Sequence, residues 1–227
     1  MKRKKEQSAI DGFFKHFHAA AVKKDRKAIN CSMDGMDTIL GADYIFTDNV
    51  TFALTEFKYD ETDLKSEAGK HRRKSLCLAL DADVAKANLA NRCHYISWTK
   101  QKAKGRRVIY FNKYKPQICN REVFGDESKL KDSEPSIKPL PARDFINLFL
   151  DHEIGTNFKL FNFYVEWLLD MEGGDSGVEI LIDDSTDENC GLIEFESLSQ
   201  LRGWLNKYMP VPPPPAPPSS SAGVKPR

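Results

Sequence analysis

Apolar positions change their spacing several times along this chain, and each change marks an element. From Glu6 to Val22, Ile10, Phe13, Phe14, Phe17 and Ala21 recur three and four residues apart, which predicts an amphipathic helix. Its basic end, Lys23 to Lys27, complements a helix C-terminal dipole. Asn30 to Gly41 reads as a loop with room for a short strand. Between Gly41 and Tyr59 the spacing switches to alternation: two runs rich in β-branched and aromatic residues flank a turn signal at Asp48 and Asn49. A helix capped by Thr62 or Asp63 is then expected to run toward Leu80, and a shorter one from Asp83 to Ala90. Strands follow at Cys93–Trp98 and Val108–Asn112, joined by a basic turn. Past residue 141 the predicted elements are helices at Arg143–Leu150, Asn157–Met171 and Ser197–Tyr208, with strands at Val178–Ile182 and Gly191–Phe195. The tail from Pro210 to Arg227 is rich in proline and serine and has too few apolar residues to pack.

The alternating stretch carries the candidate chemistry. Strand side chains point to opposite faces in turn, so Asp43, Ile45 and Thr47 share one side of the first strand. Phe52, Leu54, Glu56 and Lys58 share one side of the second. An even-numbered loop puts both sets on the same side of the hairpin. With Asn49 and Val50 as the loop, Asp43 lies directly across from Glu56; with Asp48 and Asn49 it is one pair off. Directly opposed residues have Cβ atoms about 5 Å apart, a separation at which two carboxylates can grip one divalent cation. Lys58 then points into the same space.

An Asp opening one strand, followed by acid-x-Lys on the next (Glu56-Phe57-Lys58), resembles the motif of the PD-(D/E)xK nuclease superfamily, although Ala42 stands where that motif has proline. The resemblance covers about the first half of the chain. It implies an α/β (α+β) protein with a restriction-endonuclease-like mixed central sheet flanked by helices. It also implies Asp43, Glu56 and Lys58 as catalytic residues. Asp43, Glu56 and the backbone carbonyl of Phe57 would hold Mg²⁺, or Mn²⁺ in its place. Superfamily members often add a first-helix glutamate, for which Glu6 is the candidate; a helix-start glutamate favoured by the dipole is the plainer reading. Asp34 and Asp37 offer further carboxylates, or only an Asp-Gly turn. A role in antiviral defence would suit a small nuclease of this type.

Charge sharpens the picture. The net charge is +1, yet residues 1–125 hold 25 lysines and arginines against 15 acids, and residues 126–196 hold 5 against 18. A basic half suits a polyanionic partner; the nuclease resemblance implies that this is nucleic acid, DNA ahead of RNA. Arg72, Arg73 and Lys74 follow the motif on the predicted helix, and Lys104, Arg106 and Arg107 crowd the turn between strands. Both groups are placed to meet phosphates, with Trp98, Tyr110 and Tyr114 offering stacking faces. Either group can equally be a solvated surface. The expected organisation is a nuclease-like core at 1–125, a linker at 126–141, an acidic helix and β-hairpin region at 142–209, and a disordered tail at 210–227. Helix 157–171 is apolar on most sides, so it packs in the core or meets a protein partner or a second copy. Five scattered cysteines without C-x-x-C spacing argue against a disulfide framework or a cysteine zinc site, and a cytoplasmic location is expected. No apolar run reaches the length of a membrane span. The competing reading is a non-catalytic subunit of a larger complex that binds nucleic acid or protein.

Overall fold

The computed structural model describes residues 2–33, 37–70, 72–171, 178–183 and 191–210. Asp34, the turn Gly173–Gly177, most of the acidic loop after Asp183 and the tail from residue 211 lie outside them, as does the side chain of Asp37. In chain order the elements are α1 (Lys2–Lys23), β1 (Ile29–Ser32), α2 (Asp37–Leu40), β2 (Tyr44–Thr47) and β3 (Phe52–Lys58). A 3₁₀ segment, Glu61–Gly69, leads into α3 (Arg73–Ala82), α4 (Val84–Cys93), β4 (His94–Ala103) and β5 (Arg106–Lys113). The remainder comprises α5 (Tyr114–Ile118), α6 (Arg121–Phe124), β6 (Leu140–Pro141), α7 (Ala142–Leu150), α8 (Phe158–Asp170), β7 (Ile180–Asp183), β8 (Leu192–Phe195) and α9 (Leu198–Tyr208).

All the strands join one mixed sheet in the order β6-β5-β4-β3-β2-β1-β7-β8. The first three form an antiparallel meander. β4 lies parallel to β3, which demands a crossover; the 3₁₀ segment, α3 and α4 provide it. β5 returns antiparallel to β4.

β3 is the axis of the fold, and all seven of its residues are buried. Its two faces have different covers. Phe52 and Leu54 pack with Ile45, Ile96 and Trp98 beneath residues of α3, α4 and α8. Ala53 and Phe57 face the other way, with Phe46, Tyr95 and Phe111, against α1 and α7. There Phe13 places its ring 4.8–6.3 Å from those of Phe17, Phe46, Phe57, Phe111 and Phe145. The helical period predicted for α1 is therefore the stripe that seals this face.

Three expectations change. The helix expected from Thr62 or Asp63 to Leu80 is broken. Asp60 caps a 3₁₀ segment instead, Lys70 is extended, and Arg72 is left-handed with φ +73° before α3 begins. Residues six apart on a continuous α-helix lie about 240° around its axis, so Glu67 and Arg73 would face different ways. The break lets the Arg73 Nε donate to Glu67 at 3.0 Å.

Residues 126–141 are not a loose linker either. The amides of Arg121 and Glu122 donate to the carbonyls of Asp132 and Ser133 at 3.0 and 2.9 Å, Leu130 is buried, and Leu140–Pro141 extends the sheet beside β5. Proline lacks a donor but fits an edge strand, so the composition mimicked a linker. The acidic region 142–209 thus elaborates the same sheet, with β7 paired to β1. Lastly, Cys77 on α3 is disulfide-bonded to Cys119 after α5, 42 residues along the chain. Cys31 and Cys93 are free and buried. Among the described residues no helix is long and apolar enough to cross a membrane. Reducing the Cys77–Cys119 bond should lower the unfolding free energy by about 2–4 kcal/mol, measured by urea denaturation with and without dithiothreitol.

Candidate active site

The β2–β3 register decides whether the motif converges. Tyr44 pairs with Thr55 and Ile45 with Leu54, and Asp43, just before β2, continues beside this end of β3, where Glu56 acts on it electrostatically. The turn enforces this. Asp48 Oδ1 accepts from the amides of Val50 and Thr51 at 3.1 and 2.9 Å, and Asn49 takes a left-handed φ of +67°. Of the two loops open from sequence, the one centred on Asn49 and Val50 forms. Asp43 is anchored at both ends: its amide donates to the Thr55 carbonyl at 2.9 Å, and its Oδ2 accepts from the Phe57 amide at 2.7 Å. Phe57 offers the site only its backbone, because its ring lies on the α1 face, 5.8 Å from Phe13.

Glu56 is buried, and its Oε1 accepts from Lys58 Nζ and, at 2.5 Å, from Lys70 Nζ. Its Oε2 is buried with no hydrogen-bond partner. Lys58 also pairs with Glu67 Oε1 at 2.9 Å. Glu67, wholly buried, accepts on Oε2 from Arg73 Nε and, at 2.8 Å, from the Tyr114 hydroxyl. Glu6 reaches the end of β3 from the opposite face of the sheet, where its Oε2 accepts from the Tyr59 amide at 3.0 Å. Burial raises the Glu6 pKa, with Lys58 opposing.

Two carboxyls in this cluster are driven apart. Burial first, and then the neighbouring Glu56, push the Asp43 pKa up to about 8. For Glu67 burial acts upward too, but Lys58, Arg73 and Lys70 together outweigh it and hold the group at about 2. Lys58 stays charged because Glu56 and Glu67 overcome its desolvation. The site therefore holds one permanently ionised carboxylate beneath a pinned ammonium, and one carboxyl at its mouth that gives up its proton near neutrality.

A second tier supports the first. Gly41 turns the chain into β2 with φ +73°, and its carbonyl accepts from His94 Nε2 at 2.9 Å. A Cβ at Gly41 would fall 3.0 Å from Arg73 Nη1 and 3.3 Å from His94, so glycine is required for both conformation and space. Burial drops the His94 pKa to about 4. The ring is thus neutral; a carbonyl can only accept, so Nε2 carries the proton and Nδ1 accepts from the Tyr164 hydroxyl at 2.9 Å. His94 also stacks on Tyr114 at 4.3 Å. Glu67, Lys70, Tyr114 and His94 were not legible as site residues. Glu67 lies in a polar run with no periodicity to say that it turns inward.

The basic positions divide. Lys104 and Arg106 are exposed at the β4–β5 tip, and Lys74 is exposed on α3. Because Lys58 ends β3 opposite Trp98 while β4 continues to Ala103, this tip projects from the end of the sheet that carries the site. Arg107 is engaged within the fold: its guanidinium lies 4.6 Å from the centre of the Tyr59 ring and pairs with Asp60. Arg72 is half-buried at the left-handed position before α3. Arg73, expected to meet phosphate, is fully buried and instead holds Glu67. Trp98 and Tyr114 are buried too and present no face for stacking.

No family model, no curated protein and no solved structure matches this chain. Among the described residues no group of three or more histidine, cysteine or acidic side chains is arranged to hold a metal ion. The pair Asp43 and Glu56 nonetheless fits a hard divalent cation that keeps several waters, since Glu56 Oε2 is a buried acceptor without a donor.

The Asp43 shift has a definite sign. A folded carboxyl raised to about 8 keeps a proton that the unfolded chain releases near its ordinary 3.8. Stability should accordingly fall as pH rises between those values. Asp43→Asn should abolish that fall and raise the melting temperature at pH 8 by roughly 3–8 °C, read by thermal unfolding at stepped pH in the presence of EDTA.

Proposed function

We propose that this protein is a metal-dependent nuclease of the PD-(D/E)xK type, hydrolysing phosphodiester bonds of nucleic acid, DNA ahead of RNA. The observation that carries the reading is the meeting of Asp43, Glu56 and Lys58 at one end of β2 and β3, with a buried Glu56 oxygen left unpartnered. The order of elements supports a restriction-endonuclease-like core: a helix, a three-strand antiparallel meander, a helical crossover, and a fourth strand parallel to the third.

Asp43 and Glu56 would hold Mg²⁺ or Mn²⁺, with the Phe57 carbonyl and Glu6 as further oxygen donors. Such a cation neutralises charge at the scissile phosphate and lowers the pKa of an attacking water. The protein's own contribution is orientation and charge. Lys58, fixed between Glu56 and Glu67, presents an ammonium that orients the water or offsets charge developing on phosphorus. Glu67 keeps that ammonium in place, and Lys58, Arg73 and Lys70 together keep Glu67 ionised. Lys104 and Arg106 at the β4–β5 tip would hold the substrate backbone without reading bases.

A second reading has its own support. Glu56 Oε1 is already neutralised by two lysines, as expected of a domain that binds nucleic acid without cutting it. Contact with a protein partner or a second copy is supported by exposed Phe163 on α8 and Val84 on α4, with Lys86 reaching over the Phe163 ring.

Plasmid, single-stranded DNA and RNA incubated with Mg²⁺, Mn²⁺ or EDTA separate these readings. Cleavage should need the metal and drop by about a hundredfold or more in Lys58→Ala and Asp43→Ala. Metal-dependent cleavage that both variants retain would refute the assignment, and binding without cleavage would favour the second reading. Lys104→Ala and Arg106→Ala should each weaken binding evenly across sequences and lower the salt slope by about one, measured by fluorescence anisotropy at several salt concentrations.

A further inference from the structure

We propose that Lys70 is a built-in counter-cation of this site: its ammonium sits on Glu56, one of the two carboxylates that a divalent ion would use, and must withdraw before the ion can be held tightly. The inference rests on the metal-dependent reading of Asp43 and Glu56. Lys70 Nζ lies 2.5 Å from Glu56 Oε1 and 3.3 Å from Glu67 Oε1. Asp43 also feels its charge, so a single ammonium serves three carboxyls at once. That is the electrostatic job of a bound cation done by a side chain.

Two lysines share Glu56, and only one is placed to withdraw. Lys58 belongs to the central strand, its side chain is 8% exposed, and it is held by Glu56 and Glu67 together. Moving it would take from Glu67 the nearer of its two lysines, at 2.9 Å against 3.3 Å for Lys70. The Lys70 side chain is 25% exposed and springs from the extended residue between the 3₁₀ segment and α3. The side chain is already partly in solvent, and Glu67 keeps Lys58, Arg73 and Tyr114 when Lys70 leaves. Lys70 can therefore swing out with Glu56 and Glu67 each still paired to Lys58.

The exchange couples two ligands. Metal entry repels the ammonium from Glu56, and a substrate phosphate at the mouth gives that ammonium a new anion. Each ligand lowers the cost of the other's binding, and the coupling is reciprocal. A resting enzyme without nucleic acid would hold its metal weakly.

The test is Mn²⁺ binding to the full chain, followed by electron paramagnetic resonance. Wild type, Lys70→Met, Lys70→Gln and Asp43→Asn are compared, with and without a short duplex of phosphorothioate DNA. Both neutral Lys70 variants should bind Mn²⁺ at least about tenfold more tightly than wild type. The duplex should tighten Mn²⁺ binding in wild type far more than in those variants. Lys70→Arg keeps the charge and should behave as wild type, which covers the case of neutral variants that fail to fold. Unchanged or weaker Mn²⁺ binding in Lys70→Met and Lys70→Gln, while Asp43→Asn abolishes it, overturns the role of Lys70 alone. Equal tightening by the duplex in wild type and the Lys70 variants overturns the coupling. Mn²⁺ binding that is absent from every form, or indifferent to Asp43→Asn, overturns the metal reading and this inference with it.

Discussion

A carboxylate and a guanidinium taken wholly out of water fix the centre of this protein. Glu67 and Arg73 are both fully buried and bonded at 3.0 Å, and such a pair is tolerable only when every remaining lone pair and proton finds a partner. The surrounding architecture meets much of that need, although Glu67 Oε1 has ion pairs with lysines and no hydrogen bond. Lys58 and Tyr114 take the other contacts of Glu67, while Arg73 packs against Gly41 at the entry to β2. The crossover breaks at Lys70–Arg72 so that both members of the pair can turn inward. His94 then ties Gly41 to α8 through the Tyr164 hydroxyl. The position of Asp43, two residues past Gly41, follows from this bracing.

β3 shows how one strand supports both stability and chemistry. Its odd-numbered inner positions, Ala53 and Phe57, face the aromatic layer of α1 and α7. Its even-numbered positions begin apolar, with Phe52 and Leu54, and end ionic, with Glu56 and Lys58. The hydrophobic part of this second face lies under α8 and α4, so the ionic part is confined to the end of the strand. Carboxylates on a central strand are held more rigidly than on a loop, because packing on both faces fixes their rotamers.

The charge division along the chain becomes a division across the sheet. The basic β4–β5 ribbon lies toward one edge, and the acidic β7–β8 hairpin forms the other. Among the described residues that hairpin stands four strands from β4, and the ribbon's own charge is met locally, where Glu61 pairs with Lys100 and Asp60 with Arg107.

Local patterning determined much of this structure by itself. The 3.6-residue stripe of α1, the alternation of β2 and β3, the Asp-Asn turn between them and the cap of α4 are all decided by neighbours in sequence. Hence Asp43, Glu56 and Lys58 could be placed on one face from the chain alone. Even so, the exact register waited on the turn, whose Asp48 hydrogen bonds choose between two loops that look alike as sequence. What only the tertiary structure decided is everything that depends on long-range pairing of buried charge and sulfur. Arg73 read as a phosphate contact or a solvated surface, and nothing in the polar run around Glu67 and Lys70 marked them as inward-facing. Here three cations and two carboxylates bury one another. Cys77 and Cys119 read as unpaired because no spacing rule links residues on separate helices. The proline-bearing stretch 126–141 read as a linker because composition carries no record of Leu130 in the core. Periodicity reports which way a residue faces on its own element; it holds no information about which other element that face will meet.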